Sequence, residues 1–122
     1  KYHQNIIPAV DKDWSTEYLL PIVSIKIVDN YEDAISHIET YSSGHTESIL
    51  TEDMNVAAKF QKDLDSAIVM HNTSTQFADG GELGFGGEVG ISTNKLPPRG
   101  PVGLNQLVSF KYHVAGNGQI RK

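Results

Sequence analysis

An α/β fold is expected from three features of this 122-residue chain. Segments with strand character alternate with two segments of helical periodicity between residues 19 and 71, in the order strand–helix–strand–helix–strand. Each helical segment is about three turns long, the length that crossovers between parallel strands use. The first strand segment is apolar on most of both faces, as strands covered by helices on each side are.

Along the chain, Tyr2 to Trp14 is mixed. Ile6-Ile7-Pro8 is predicted as a short edge strand, because proline is tolerated at sheet edges and not in central ladders. Leu19 to Val28 is apolar and β-branched apart from Pro21, Ser24 and Lys26, which predicts a buried strand. Asp29-Asn30 supplies a turn and a helix N-cap, and Asp33 suits the positive end of the helix dipole. Tyr31, Ala34, Ile35, Ile38 and Tyr41 fall on one stripe of that helix. Ser42-Ser43-Gly44 ends it, Gly44 fitting the left-handed position after a helix. Ser48 to Thr51 predicts a second strand. Thr51 or Glu52-Asp53 opens a second helix with Met54, Ala57, Ala58, Gln61 and Leu64 on its apolar side, and Asp65-Ser66 breaks it. Ala67 to Met70 predicts a third strand.

The second half reads differently. His71 to Thr93 is polar and holds six of the eleven glycines, without helical or alternating pattern. Lys95 to Pro101 is expected to be neither helix nor ladder strand. Leu107 to Val114 alternates, with Val108, Phe110, Tyr112 and Val114 on one side, and predicts a half-buried strand. Such a strand must pair in the sheet, with a segment outside this chain, or with another subunit.

Composition narrows the function classes. Hydrophobic residues at 39% and charged residues at 20% fit one globular domain. A net charge of −5 without a basic cluster argues against a nucleic-acid partner. The longest apolar run, Leu19 to Ile27, is too short and too interrupted to cross a bilayer, and no secretory pattern opens the chain. Cysteine is absent, which removes disulfides and thiolate catalysis from this chain.

Few residues point to chemistry by pattern. The spacing of Gly81, Gly84 and Gly86 reverses the dinucleotide fingerprint, and no Gly-Lys-Ser/Thr follows. The glycine segment therefore stands open between a ligand-lining loop and an irregular linker. His3, His37, His45, His71 and His113 show no metal-ligand spacing. His45 is expected at the turn after the first helix. His71, at the end of the third strand, is best placed for a cleft, although a hydrogen-bonded structural role fits it better. Glu17 is a carboxylate just before an apolar strand, which by itself reads as a solvated loop acid.

Five motifs stand in order: Trp14-Ser15-Thr16-Glu17-Tyr18-Leu19, Ser43-Gly44-His45-Thr46-Glu47, the stretch His71 to Gly81, Gly87 to Thr93, and Arg99-Gly100-Pro101-Val102-Gly103-Leu104. Together they resemble the C-terminal part of the gamma-glutamyl phosphate reductases, or glutamate-5-semialdehyde dehydrogenases, of the aldehyde dehydrogenase superfamily. The same module occurs in bifunctional pyrroline-carboxylate synthases. The resemblance implies a partial aldehyde-dehydrogenase-like catalytic domain over residues 1–104, with 105–122 as an oligomerisation strand and tail that joins subunits into a homo-oligomer. It implies a cytoplasmic enzyme of proline biosynthesis, without nucleic-acid or membrane partners, that reduces L-glutamyl 5-phosphate to L-glutamate 5-semialdehyde with NADPH. In that chemistry a cysteine attacks the acyl phosphate, phosphate leaves, and hydride transfer resolves the thioester. The chain is then expected to be a C-terminal fragment, inactive alone, because the family's nucleophile lies upstream of the Glu17 motif.

Carried over by position, the resemblance gives no catalytic residue and no metal ligand. It makes Glu17 the acceptor for the nicotinamide ribose hydroxyls, and Asn72, Ser74, Thr75 and Phe77 the lining of the substrate entrance. Gln76 stands where the family usually has arginine, and cannot offer its bidentate, charge-assisted contact to an anion. Pro97-Pro98 replaces a more usual His-Ala pair. Two other readings remain: an assembly module built on the C-terminal strand, and a small-ligand-binding domain without chemistry.

Overall fold

The computed structural model describes residues 6–122, so Tyr2 and His3 lie outside the described residues. Ile6 to Pro8 forms no strand, and the first regular element is a 3-10 turn at Asp11–Ser15. Helix α1 spans Tyr31–Tyr41 and starts where its cap predicts: the Asn30 side chain accepts a hydrogen bond from the Asp33 N–H at 2.8 Å. Its half-buried residues include the whole predicted stripe, with His37 added.

The centre of the molecule is a parallel pair joined by a helix. Strand β1 (Thr46–Ile49) runs beside β2 (Ile68–His71), with Thr46 opposite Ile68 and Ile49 opposite His71. Helix α2 (Met54–Asp63) makes the crossover, and Asp53 caps it by accepting from the N–H groups of Asn55 and Val56. Its buried side is formed by Ala57 and Phe60, continued by Leu64 just past its end; Met54, Ala58 and Gln61 are exposed. The predicted stripe was therefore turned slightly from the real one, because the large ring of Phe60 has the most apolar area to hide. Met70 of β2 completes that core.

Two further short strands, β3 (Gly90–Ser92) and β4 (Gly100–Val102), pair antiparallel, with Ile91 opposite Pro101. Pro101 sits in a ladder after all. A two-stranded sheet consists only of edge strands, where a missing N–H can face away from the partner. Val102 is buried, and a Cβ built on Gly100 would lie 3.8 Å from Ile68, so this hairpin packs beside β2.

The two longest predicted strands pair with nothing among the described residues. Leu19 to Val28 forms no ladder, and Leu19, Val23, Ile25 and Ile27 are at least three-quarters exposed. Leu107 to Val114 also forms none, and Phe110 and Tyr112 are exposed although their rings meet edge to face at 5.4 Å. The accessible surface totals 10450 Å². A compact monomer of this mass exposes about 6,500 Å². Leu107 to Val114 keeps its sidedness without a partner among the described residues, so the half-buried strand expected there is not half-buried here.

Candidate functional site

A cleft of about 650 Å³ gathers three of the five sequence motifs. Trp14 and Glu17 come from the N-terminal turn, Ser43 and His45 from the link between α1 and β1, and Ile91 and Thr93 from β3 and its exit; Tyr41 at the end of α1 also lines it. The N-terminal turn is braced so that Glu17 projects from it. Asp13 accepts from its own turn's Val10 N–H at 2.7 Å and from the Tyr18 hydroxyl at 2.7 Å. Those bonds, the Tyr18 one first, hold the Asp13 carboxyl below its ordinary range. Thr16 donates to the Lys12 carbonyl, closing the turn. Glu17 itself is exposed, and among the described residues its carboxylate has no hydrogen-bond or ion-pair partner.

His45 occupies the predicted turn. Its Nδ1 lies 2.7 Å from Thr46 Oγ1, whereas its Nε2 is buried with no partner among the described residues. The other wall is aromatic. Trp14 meets the His37 ring edge-on with centroids 5.2 Å apart, and His37 lies 4.8 Å from the Tyr41 ring. Lys26 closes the group, its Nζ 3.2 Å from His37 Nδ1 and 5.9 Å from the Trp14 ring centre. Burial pushes the His37 pKa down, and the Lys26 charge adds to this. Sequence pattern did not single out Lys26 and His37. The one available signal was that His37 and Tyr41, four apart, share a helix face.

The substrate-segment candidates lie elsewhere. His71 ends β2, and its Nε2 is 2.9 Å from the Thr51 carbonyl, so that nitrogen carries the proton and the ring has the structural role that suited it better. Asn72 follows in the left-handed conformation at φ +52°. Its side-chain oxygen accepts from the Thr51 N–H and its amide donates to the Thr51 carbonyl, both at 2.9 Å. Asn72 thus continues the pairing of β1 and β2 with a side chain acting as a third strand residue. Ser74 caps a 3-10 turn at Thr75–Phe77 by accepting from the Gln76 N–H, and Thr75, Gln76 and Phe77 face solvent. This segment leaves the carboxyl ends of the parallel strands, the usual ligand side of such sheets. Glu17 and His45 sit at the amino end of β1, roughly 10 Å away along a strand of this length. The structure therefore brings Asn72, Ser74, Thr75 and Phe77 together and keeps Glu17 apart from them.

The glycine segment is a folded loop. Asp79 accepts from the N–H groups of Gly81 and Glu82, and Glu88 reaches back to the Gly80 N–H at 2.9 Å. A Cβ at Gly80 would lie 2.7 Å from the Gly87 carbonyl oxygen, which explains a glycine there by close backbone approach. Its two best-placed carboxylates are spent on its own backbone. Arg99, in the last motif, ties the hairpin down: its guanidinium donates to the Asp65 carboxylate at 3.0 Å and to the Asp65 carbonyl, and Lys95 reaches the same carboxylate at 2.5 Å.

No helix of the described residues is long and apolar enough to cross a membrane. Against known proteins, the aldehyde dehydrogenase family model matches residues 7–111. Gamma-glutamyl phosphate reductase of Bartonella henselae is 62% identical over 113 residues, covering 93% of this chain and 27% of that protein. The protein of the same name from Rhizobium johnstonii is 59% identical over 114 residues, again covering 93% and 27%. A crystal structure of gamma-glutamyl phosphate reductase from Thermotoga maritima superposes with a TM-score of 0.90 at 50% identity, over 97% of this chain and 28% of that one. The chain spans about a quarter of the length of the curated relatives it matches. With the family pattern running through nearly all of its length, and with a helix-crossed parallel pair at its centre, the chain belongs to the aldehyde dehydrogenase family.

Proposed function

We propose that this chain is the C-terminal part of an NADPH-dependent gamma-glutamyl phosphate reductase of proline biosynthesis, acting in the cytoplasm on L-glutamyl 5-phosphate. The observation that carries this reading is the 62% identity to the Bartonella henselae reductase across 93% of the chain. The chain contains no cysteine, so the thiolate that attacks the acyl phosphate belongs to the remainder of the protein. When bound, NADPH supplies the hydride that completes the reduction.

The residues present fit such a cofactor on one side. An ionised carboxylate is an acceptor only, and Glu17 faces an open cleft without a competing donor among the described residues, as a partner for two ribose hydroxyls must. Trp14 and Tyr41 flank it with apolar surface. On the substrate side, Asn72 fixes the start of the wall through Thr51, and Ser74, Thr75 and Phe77 line the entrance. Gln76 contributes polarity there and no charge. Residues 1–104 form the catalytic-domain part, and Leu107 to Val114 is the strand offered to a neighbouring subunit, which the exposure of Phe110 and Tyr112 supports.

The test is Glu17→Gln in the full-length protein. Loss of a charged acceptor is expected to weaken NADPH binding roughly tenfold, with turnover at saturation changed far less. An unchanged Michaelis constant for NADPH together with unchanged turnover refutes the ribose role. Absence of phosphate-dependent NADP⁺ reduction by the semialdehyde, or of the reverse reaction, refutes the activity itself.

A further inference from the structure

The group formed by Lys26, His37, Trp14 and Tyr41 reaches the Glu17 cleft through Trp14 and Tyr41, and Lys26 and His37 stand outside its lining. Its geometry fixes a protonation state. A lysine ammonium is a donor with no acceptor, so the 3.2 Å contact from Lys26 Nζ requires His37 Nδ1 to be a bare lone pair. The ring is then neutral, with its proton on Nε2. Protonating it would remove the acceptor and set a second positive charge against Lys26. The ring also buttresses Trp14 edge-on and Tyr41, and both of these side chains line the Glu17 cleft.

We propose that His37 is a positioning residue for the Glu17 cleft: neutral, it latches Lys26 and holds Trp14 in the cleft wall; protonated, it releases both. The ligand concerned is the nicotinamide cofactor, and to that extent the inference rests on the function proposed above. The other ionisable groups around His37 do not substitute for it. Asp29 and Asp33 line the small cavity of about 450 Å³ that lies between Lys26 and α1. The Asp33 carboxylate is engaged by the Asn30 amide at 3.0 Å, at the start of the helix. Tyr41 lies one turn on, in ring contact with His37, and Glu17 and His45 line the cleft itself. An imidazole is the side chain whose charge changes near neutrality, and His37 is the one that touches both Lys26 and Trp14.

The test uses the full-length protein, with Trp14 as a built-in reporter read as the fluorescence difference between wild type and Trp14→Phe. Between about pH 7.5 and about pH 5, the Trp14 signal is expected to titrate, and NADPH binding to weaken roughly threefold or more as the latched fraction falls. In His37→Asn, the amide oxygen can accept from Lys26 and cannot be protonated. That variant should lose both acid responses, whatever its affinity for NADPH at neutral pH. In Lys26→Met, the repelling charge is gone, and the midpoint of the Trp14 titration should move to higher pH. A Trp14 signal that does not titrate, or that titrates equally in His37→Asn, overturns the proposal. A Trp14 signal that follows His37 while NADPH affinity stays flat keeps the latch and overturns the assignment of the cleft to the cofactor.

Discussion

The β1–α2–β2 unit and the two unpaired runs, Leu19 to Val28 and Leu107 to Val114, were expected to be strands on the same kind of pattern. Only the first contains strands. Thr46–Ile49 and Ile68–His71 are each other's partner, and the helix between them covers the pair with Ala57, Phe60 and Leu64. Leu19 to Val28 is apolar on most of both faces and Leu107 to Val114 on one, with Phe110 and Tyr112 in ring contact, and among the described residues neither meets a second strand. Alternation says which side chains a strand would bury. Whether it becomes a strand depends on a partner's N–H and C=O groups being in reach. In this chain both runs leave most of their apolar side chains exposed.

The largest expected effect tests the closed half. Phe60→Ala should destabilise the protein by about 3–5 kcal/mol, since the ring is almost wholly buried between α2 and the parallel pair. Denaturant unfolding followed through amide exchange in α2 would measure it, and a loss comparable to that of an exposed aromatic would erase the distinction drawn above. The matching change in the open half is Phe110→Ser. It should leave that exchange within about 0.5 kcal/mol and act instead on subunit assembly, read as molecular mass in solution. An unaltered mass would mean that the C-terminal run is not the joining surface.

Between the two halves stands Asn72. Asn72→Ala gives up two hydrogen bonds to Thr51 and forces a Cβ-bearing residue without a local polar contact into φ +52°, at a cost of about 1–3 kcal/mol. Asn72→Gly should recover part of that loss. If alanine and glycine behave alike, the backbone conformation contributes nothing and the bonds carry all of it. The smallest effect is electrostatic. Lys95 first, and then Arg99, hold the Asp65 carboxyl below its ordinary 3.8, so its contribution is present above that value and disappears as pH falls through the lowered one. Thermal midpoints of wild type and Asp65→Asn should therefore differ at neutral pH and converge in acid. No gap at any pH would show that the Arg99 bond to the Asp65 carbonyl, which both proteins keep and which does not titrate, is what tethers the hairpin.

The legible part of the fold was local. The N-cap at Asn30 and the stripe from Tyr31 to Tyr41 follow from short-range hydrogen bonding and periodicity and lie where those rules put them, and of the starts offered for the second helix, Thr51 or Glu52-Asp53, the structure takes Asp53. The strand bounds shifted by one or two residues, because pairing register is decided by the neighbour. Pro101 was read as outside any ladder, because a general rule about central strands was applied to what became an edge. At the candidate site, Glu17 and the 72–77 segment could be named from motifs. That they occupy opposite ends of β1, and that Asn72 spends its amide on Thr51, could not.

By itself the sequence determined the α/β class, the two helices, the absence of a thiol nucleophile and, through five ordered motifs, the family. All of these depend on residue identity and on contacts a few positions apart. Tertiary structure alone decided that the glycine segment is a loop hydrogen-bonded to itself, that Lys26 and His37 stand behind Trp14, and that the two most strand-like runs stay unpaired. Those outcomes depend on which backbone and which charge arrive from far along the chain, and no local pattern encodes the arrival.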